Sequence, residues 1–403
     1  MINHKMVEKS RTPGKMFVRL QTQPKKGGDS MKKSTTILSI LQSVLPAEEI
    51  DSAIELAGYK DKARKFTVHH LLQYWAMAAS EQWDSYRSGV VHAAASGLLP
   101  VHYSSFSGKA AEVPFAVFKE LLHRLIQTCN RQTTRKLAFP KELLLIDSTT
   151  VTVGKTRLPW APYHGERSGI KLHVSLQAQC DSPLNVVETV GSKHDGPLCE
   201  SLTHLDYIMV MDRAYGKLER LDRFKEEGQS FVVRLRDNVH LEKPRALRRQ
   251  KEPNSPVIRD ITCQLGTEQC RSKKRHRVVT FQDFDGRELR VVTDLMQVTP
   301  EEIAQMYKAR WQIEVFFRWI KQHLNIPTLF GTTENAVYGQ LFVALIVYVL
   351  LKWLFDTTQG VVSRHQKLSF IHFARLFRLN SLPPEWLVKM QRIREKFSPA
   401  GLV

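Results

Sequence analysis

Four successive apolar residues that run into an acid, Leu143 to Ile146 followed by Asp147, constrain the fold of this chain more than any other sequence feature. A strand with one solvated face alternates between apolar and polar residues, so an unbroken apolar run indicates a strand buried on both faces of a sheet. A helix is predicted at 217–227, where Gly228 ends the pattern. We therefore predict a mixed α/β core. Its further strands are predicted at 170–178, 184–190, 207–211, 231–235 and 289–293.

The segments on either side of this core have other patterns. Residues 1–35 are basic and polar, which predicts a disordered arm. Residues 36–138 have helical periodicity and predict a helical N-terminal domain, which would bind DNA or serve as a scaffold. Within it, the small residues of 104–109 predict a loop. The remaining divisions are a first core part at 139–236, an insertion subdomain at 237–288, a second core part at 289–360 and a helical tail at 361–403.

The charge balance points to a polyanionic partner. The formal net charge is +19, an excess that costs self-repulsion in the compact state. We predict double-stranded DNA as the partner, ahead of an anionic membrane surface. A merely well-solvated surface is the third interpretation, although solubility does not require so one-sided a balance.

Two further observations favour a cytoplasmic protein without a membrane partner. Residues 1–35 contain no apolar stretch of the kind found in secretory signals. The most apolar run, 341–351, is followed by Lys352 and is too short to span a bilayer, which predicts a buried core helix instead. Binding to DNA would place such a protein at the nucleoid.

Asp147 and Asp212 each follow a predicted apolar strand. A carboxylate at the edge of a buried sheet is costly to desolvate without a cation, and two neighbouring carboxylates repel each other unless a metal ion lies between them. Taken singly, an acid after a strand is more often a turn or helix-cap residue. The pair therefore needs a third ligand before it indicates a metal site.

A polar stripe on an apolar helix supplies that ligand. The helix begins at Thr299 and Pro300 and is predicted to continue to about Leu324. Its polar residues, at intervals of three, four and seven, fall within about 60° of the helix circumference. They are Tyr307, Arg310, Glu314 and Lys321. A solvated i,i+4 salt bridge is the alternative. The apolar residues around the stripe instead predict a buried helix whose polar side faces a site; they are Trp311, Ile313, Val315, Phe316, Phe317, Trp319 and Ile320.

This stripe resembles the Tyr-x2-Arg-x3-Glu-x6-Lys signature of DDE transposases of bacterial insertion sequences, specifically the insertion-sequence-four family. Asp147 in Ile-Asp-Ser-Thr, the segment 164–173 and Asp212 in Asp-Arg-Ala-Tyr extend the resemblance from about residue 140 to 350. The resemblance implies a ribonuclease-H-like α/β fold with a β-rich insertion. It also implies that Asp147, Asp212 and Glu314 are the catalytic residues and bind two Mg²⁺ or Mn²⁺ ions per active site.

The same resemblance implies a reaction and a set of DNA contacts. The reaction is metal-dependent cleavage at transposon ends followed by strand transfer into target DNA, by a homodimer on the DNA. Arg310 and Lys321 would bind phosphates, and Tyr307 would pack or hydrogen-bond beside them. Further candidates for DNA binding are Arg213, Tyr215 and Lys171. His173 lies in an alternating strand and is interpreted as structural.

The insertion contains basic clusters at 243–251 and 271–277, with Phe281 and Phe284 as candidate stacking surfaces for bases. These features predict DNA contact, and a charged, solvated excursion is the alternative.

Two other functions remain open at this stage. One is a ribonuclease-H-like, metal-dependent nuclease that cuts without strand transfer. The other is a catalytically inert descendant that only binds DNA. Three clustered carboxylates count against the second, because they would repel phosphate unless a metal ion were present.

Overall fold

The computed structural model describes residues 37–130, 139–247, 253–283 and 285–397, which belong to one compact unit. The predicted arm at 1–35 lies outside the described residues. The predicted divisions between 36 and 397 therefore mark changes of secondary structure within this unit.

Six helices come first in the described chain. Residues 104–109, predicted as a loop, are part of the fifth helix, so that prediction is wrong. Phe106 is fully buried against the rings of Tyr74 and Trp75, and Lys109 pairs with Asp61 at 2.6 Å. Tertiary packing outweighs the weak helix preference of the small residues here. The helices are α1 Ile37–Val44, α2 Ala47–Leu56, α3 Val68–Glu81, α4 Tyr86–Ala95, α5 Tyr103–Glu112 and α6 Ala116–Asn130.

A single mixed sheet of 11 strands follows. Its order is β2-β3-β1-β5-β6-β11-β10-β8-β7, with β4 paired to β3 and β9 paired to β8. The strands are β1 Glu142–Gly154, β2 Pro162–His164, β3 Arg167–Gln177, β4 Ser182–Val190, β5 Tyr207–Met211, β6 Phe231–Arg234, β7 Leu241–Ala246, β8 Val257–Thr267, β9 Cys270–Arg271, β10 His276–Gln282 and β11 Glu288–Thr293.

The strand directions determine the fold class of the core. β4, β3 and β1 are antiparallel neighbours, and β1, β5 and β6 are parallel neighbours. Three antiparallel strands continued by two parallel ones form a ribonuclease-H-like sheet, so the predicted fold class is confirmed. The strands of the insertion, β7 to β10, extend the same sheet beyond β11. The insertion is therefore β-rich, as predicted.

Seven further α-helices are described, two of which carry the predicted polar stripe. The long helix predicted from Thr299 to Leu324 is interrupted at Arg310, where two backbone bonds span only three residues, from the Arg310 N–H to the Tyr307 carbonyl and from the Ile313 N–H to the Arg310 carbonyl. The helices are α7 Asp195–Leu198, α8 Leu218–Glu226, α9 Pro300–Ala309, α10 Trp311–His323, α11 Glu334–Gln359, α12 Phe370–Arg378 and α13 Pro384–Phe397.

The helix α10 is less buried than its composition predicts. The side chains of Trp311 and Val315 are 55% and 44% exposed, whereas Ile313 and Ile320 are fully buried. The helix thus presents one apolar face to the core and another to solvent. The prediction that apolar residues are buried on nearly every side of the stripe is wrong on this outer face.

The helix α11 is the central element of the hydrophobic core. At 26 residues it is long and apolar enough to cross a bilayer, so the argument that it is too short is wrong. Its apolar stretch is nevertheless completely buried inside the protein, which confirms the predicted core helix. Lys352 lies within the helix and pairs with Asp356 at 3.0 Å. A continuous hydrophobic cluster joins α11 to the N-terminal helices and to one face of the sheet.

Candidate active site

Asp147 and Asp212 lie side by side on neighbouring parallel strands. In the register of β1 and β5, Ile146 is opposite Met211, so the residue that follows each of them occupies the next position. β5 ends there, whereas β1 continues to Gly154 in its pairing with β3. Asp147 therefore lies within a long strand, at the point where its parallel neighbour ends, and not at a strand end as predicted.

The junction of α9 and α10 brings Glu314 toward these two acids. Arg310 donates hydrogen bonds to Asp147 Oδ2 at 3.3 Å and to Glu314 Oε1 at 2.6 Å. The Tyr307 hydroxyl donates to Asp212 Oδ1 at 3.4 Å. The tight turn at Arg310 thus directs side chains from both helices to the edge of the sheet. Arg310, which is 163 positions from Asp147 in the sequence, thus lies between it and Glu314.

The pKa of Asp147 reflects both its burial and the nearby charges of the other two acids. Burial raises the pKa of Asp147 to about 6, against the favourable effects of the Ser148 N–H and of Arg310. The negative charges of Asp212 and Glu314 also raise the pKa of Asp147. A carboxyl group in such surroundings is stabilised in its ionised form by an added positive charge.

The donor set fits a hard divalent cation, but Arg310 now lies among its ligands. Within the described residues, no three acidic, histidine or cysteine side chains are close enough to bind one ion as they stand. The Arg310 guanidinium separates Asp147 from Glu314 and supplies the positive charge itself. Carboxylate oxygens are the ligands that Mg²⁺ and Mn²⁺ prefer. These three acids can therefore hold such an ion once Arg310 has moved away.

Comparison with known proteins decides the family. The family model described as Transposase DDE domain matches residues 138–350, a range that includes Asp147, Asp212 and Glu314. The chain belongs to this family. Enzymes of the DDE transposase family cut and join DNA and use divalent metal ions. The predicted membership of the DDE transposases and the predicted enzyme class are thereby confirmed, whereas the assignment to the insertion-sequence-four family stays a prediction.

Two known proteins illustrate the similarity. The chain is 53% identical over 356 residues to a protein of Geobacillus stearothermophilus named "Probable transposase for insertion sequence element IS5377", covering 88% of this chain and 94% of the relative. The fold is similar, with a TM-score of 0.47 and 12% identity, to the cryo-EM structure of the piggyBac transposase synaptic complex with hairpin DNA, covering 91% of this chain and 86% of that one. The order and directions of the five core strands themselves define the ribonuclease-H-like fold.

The other residues of the polar stripe are held by the protein. Lys321 donates to the carbonyl of Thr150 at 3.1 Å, and burial lowers the pKa of its ammonium group. Tyr307 is buried, and the Arg310 guanidinium lies over its ring at 5.8 Å from the centroid. All four members of the predicted stripe are therefore brought to one region, and their roles on DNA remain predictions.

Lys171 lies away from the acidic side chains, whereas Tyr215 is close enough to Asp147 that burial and then the charge of Asp147 raise the pKa of its hydroxyl. Lys171 is opposite Thr150, three positions after Asp147, so strand alternation places its side chain on the other face of the sheet. There it pairs with Asp195 at 3.0 Å. Tyr215 is only 1% exposed and is part of the core cluster on the α8 side. A role for either residue in DNA binding stays a prediction that would require these contacts to change.

Two aromatic candidates in the insertion have different outcomes. Phe281 is fully buried, with its ring 6.2 Å from that of Tyr307, so the prediction that it stacks on bases is wrong. Phe284 lies outside the described residues. β10 is buried on both faces from His276 to Phe281, and Phe281 contacts α9 through Tyr307.

Some arginines of the two basic clusters bond to other parts of the protein instead of facing solvent. Arg277 is fully buried, where it forms a two-pronged ion pair with Asp260 and donates to the Leu295 and Val298 carbonyls. Arg275 donates to the carbonyls of Lys243 and Thr262. The part of the first cluster at 248–251 lies outside the described residues. A count of basic residues therefore overstates the positive surface available to DNA.

One loop beside Asp212 was not identified from the sequence. Residues 236–238 follow β6 and, with Asp212, Arg213 and Ala214, line an open cleft of about 530 Å³. Arg236 follows β6 just as Asp212 follows β5. Because these two strands are parallel neighbours, both residues lie at the same edge of the sheet. This strand pairing is not visible in the sequence.

Proposed function

We propose that this chain cuts DNA at the ends of its own insertion element and joins the freed 3′-hydroxyl to target DNA. The convergence of Asp147, Asp212 and Glu314 at one edge of a ribonuclease-H-like sheet is the observation that supports the proposal most directly. Membership of the DDE transposase family supports it independently. The 53% identical relative extends over most of the chain, which makes an activity of the whole protein the natural inference.

The three acids would hold two Mg²⁺ or Mn²⁺ ions. When bound, such ions activate the attacking hydroxyl and stabilise the leaving oxygen in an in-line displacement at phosphorus. Asp147 and Asp212 are positioned for this by the parallel pairing of their strands, and Glu314 by the α9–α10 junction. The raised pKa of Asp147 means that its ionised form is disfavoured by burial, so a neighbouring cation would stabilise it.

Arg310 would exchange partners during this process. A guanidinium that leaves Asp147 and Glu314 has a planar fork of donors that matches a phosphate group. DNA phosphates at the site thus offer Arg310 new acceptors while its former carboxylates become available to metal ions. Tyr307 would keep Asp212 oriented, and Lys321 would add a point charge toward the DNA backbone.

Double-stranded DNA would be the partner as both element end and target, and two copies of the chain would act together on a pair of ends. Such a protein would work in the cytoplasm at the nucleoid. Arg213, which is exposed beside Asp212, would contribute to DNA binding.

A product assay tests the proposal. Linear DNA carrying the element's own ends is incubated with the protein, with and without Mg²⁺, and nicked, hairpin and joined products are separated on denaturing gels. We expect metal-dependent cleavage and joined products. Cleavage without joining would show a nuclease, and binding without cleavage would show an inert DNA-binding protein.

The variant Asp212→Asn serves as the catalytic control. It keeps the size of the side chain but removes a charged metal ligand, so we expect DNA binding to persist and cleavage to fall below detection. Normal cleavage by this variant would contradict the assignment of Asp212 as a metal ligand.

A further inference from the structure

The cleft beside Asp212 is formed by the loops that follow two parallel strands. β5 and β6 are direct neighbours, with Met211 opposite Val233, so their carboxyl ends open on the same edge of the sheet. Crevices outside the carboxyl ends of parallel strands are common ligand sites. The turn after β5 contributes Asp212 and Arg213, and the loop after β6 contributes Arg236, Asp237 and Asn238.

Arg213 and Arg236 are free to bind an anion. Both are exposed, and among the described residues no carboxylate lies within ion-pair distance of either. Arg277 and Arg310, by contrast, are each engaged by carboxylates. An arginine without a carboxylate partner keeps its full donor fork for a phosphate group. The cleft thus has two such forks next to one of the proposed catalytic acids.

Arg290 holds the loop that carries Arg236 through hydrogen bonds to its backbone. The Arg290 guanidinium on β11 donates to the carbonyls of Arg236 at 2.8 Å, Asp237 at 2.5 Å and Val239 at 3.2 Å. The Arg290 carbonyl also accepts from the Leu235 N–H at 2.8 Å. A loop held by several bonds to one half-buried side chain is ordered before a ligand arrives, so less conformational entropy is lost on binding.

We infer that this cleft is a phosphate-binding site for the DNA backbone next to the bond that is cut, with Arg236 as its principal ligand and Arg290 as a positioning residue. The inference depends on the proposed function, because it places the bound phosphate beside Asp212. Arg213 would bind the same or the adjacent phosphate from the opposite side of the cleft. Any sequence of bases would be accepted, because the contacts are to the backbone.

Neutralising the neighbouring Asp237 should change DNA affinity in the opposite direction to neutralising Arg236. Its carboxylate is exposed in the same cleft and would repel a phosphate that Arg236 attracts. Neutralising Asp237 should therefore strengthen DNA binding, while neutralising Arg236 weakens it. General damage to the loop would weaken binding in both variants.

The first experiment measures binding of a short labelled duplex carrying the element's end by fluorescence anisotropy, without divalent metal, over a series of salt concentrations. We expect Arg236→Gln to weaken binding by about tenfold at physiological salt and to lower the slope of log K against log salt by about one. Asp237→Asn should bind more tightly than the unchanged protein. Arg287→Gln removes the same charge from the exposed turn that precedes β11, near the same loop but outside the lining of the cleft, and should bind like the unchanged protein.

A double-mutant cycle tests the role of Arg290. If Arg290 acts through Arg236, Arg290→Gln should weaken binding and lower the salt slope, and the combined variant should lose little more than Arg236→Gln alone. Arg290→Lys should restore only part of the affinity, because an ammonium group cannot reach three carbonyls at once. Fully additive losses would show that Arg290 does not act through Arg236.

The two proposals fail in different ways. If Arg236→Gln binds with the affinity and salt slope of the unchanged protein, the phosphate site is wrong even when cleavage and joining occur normally. If the unchanged protein binds the duplex but never cleaves it with Mg²⁺, the proposed function is wrong. The binding comparison of Arg236, Asp237 and Arg287 then still decides whether the cleft binds backbone phosphate.

Discussion

Arg310 supplies the positive charge that Asp147 and Glu314 need while no metal ion is bound. The three side chains are all partly buried, at 15%, 24% and 32% exposure, where unpaired charge is costly. A guanidinium and a divalent ion compete for the same carboxylate oxygens. If Arg310 moves to a DNA phosphate as proposed, metal loading and DNA binding would be linked through this one side chain, since the phosphate would favour its departure from the carboxylates.

Replacing Arg310 by Gln should increase the affinity for Mn²⁺ in the absence of DNA. The change removes the competing cation and its charged hydrogen bonds, which corresponds to about a tenfold gain in affinity. Titration of Mn²⁺ followed by thermal unfolding or electron paramagnetic resonance measures the effect. Arg318→Gln, a change of the same kind on the exposed side of α10, is the control. Equal Mn²⁺ affinity in Arg310→Gln and the unchanged protein would show that Arg310 does not compete with the metal.

His173 should make the stability of the protein depend on pH. Burial lowers its pKa to about 4, with Asp195 opposing this effect and Lys171 adding to it. Because the unfolded chain binds a proton near pH 6.5 and the folded chain does not, stability is lost as pH falls below that value. The contribution of His173 to this loss should be about 2 kcal/mol between pH 7 and pH 5, whereas Asp147, with its pKa raised to about 6, contributes in the opposite direction over the same range. Urea unfolding of the unchanged protein and of His173→Gln measures the histidine contribution as a difference.

The histidine contribution can be separated from other titrations by mutation. The loss between pH 7 and pH 5 should shrink in His173→Gln and should persist in His194→Gln, because His194 is exposed. An unchanged pH dependence in His173→Gln would assign the effect to other groups.

At the scale of elements, α5 shows how packing determines a helix that composition does not predict. Phe106→Ala should reduce the free energy of unfolding by about 3–5 kcal/mol, since it leaves a cavity among Tyr74, Trp75 and Tyr86. Urea unfolding measures the change. Leu56→Ala, at a side chain that is 67% exposed, should change the free energy by less than about 0.5 kcal/mol. Similar values for the two variants would show that α5 is not part of the core.

Elements with strong periodicity or unbroken apolar runs were predictable from the sequence. β5 was predicted at the residues where it is found, and β6 and β11 to within one residue. The interruption at Arg310 was not, because the sequence there has neither glycine nor proline and the tight turn depends on contacts with Asp147. The exposure of Trp311 likewise depends on which face of α10 meets the core.

At the scale of the molecule, the active complex should contain two copies of the chain. Each chain has one set of Asp147, Asp212 and Glu314, while an element has two ends to be cut and joined. Mass photometry of the protein with end-bearing DNA should show complexes with two chains and two ends. Complexes that join DNA but contain a single chain would contradict this expectation.

The meeting of the three acids was predicted, but the pairing of distant strands was not. Alternation and apolar runs show which residues are buried, whereas the continuation of the core sheet into the insertion depends on β6 pairing with β11. The cleft with Arg236 was missed for this reason. The sequence likewise gives no sign that Phe281 and Arg277 face inward, since each looks like a surface DNA contact when read alone.

The central position of α11 determines when the protein can finish folding. The ribosome makes α3, α5 and α6 early, but the apolar faces of these helices wait for a partner that is encoded about 200 residues later. Until residue 359 has left the ribosome, the apolar faces of these helices remain exposed. Only a chaperone or a non-native contact can cover them. A fragment made without the first 138 residues would leave α11 in the same unprotected state, so it should precipitate instead of serving as a minimal catalytic unit.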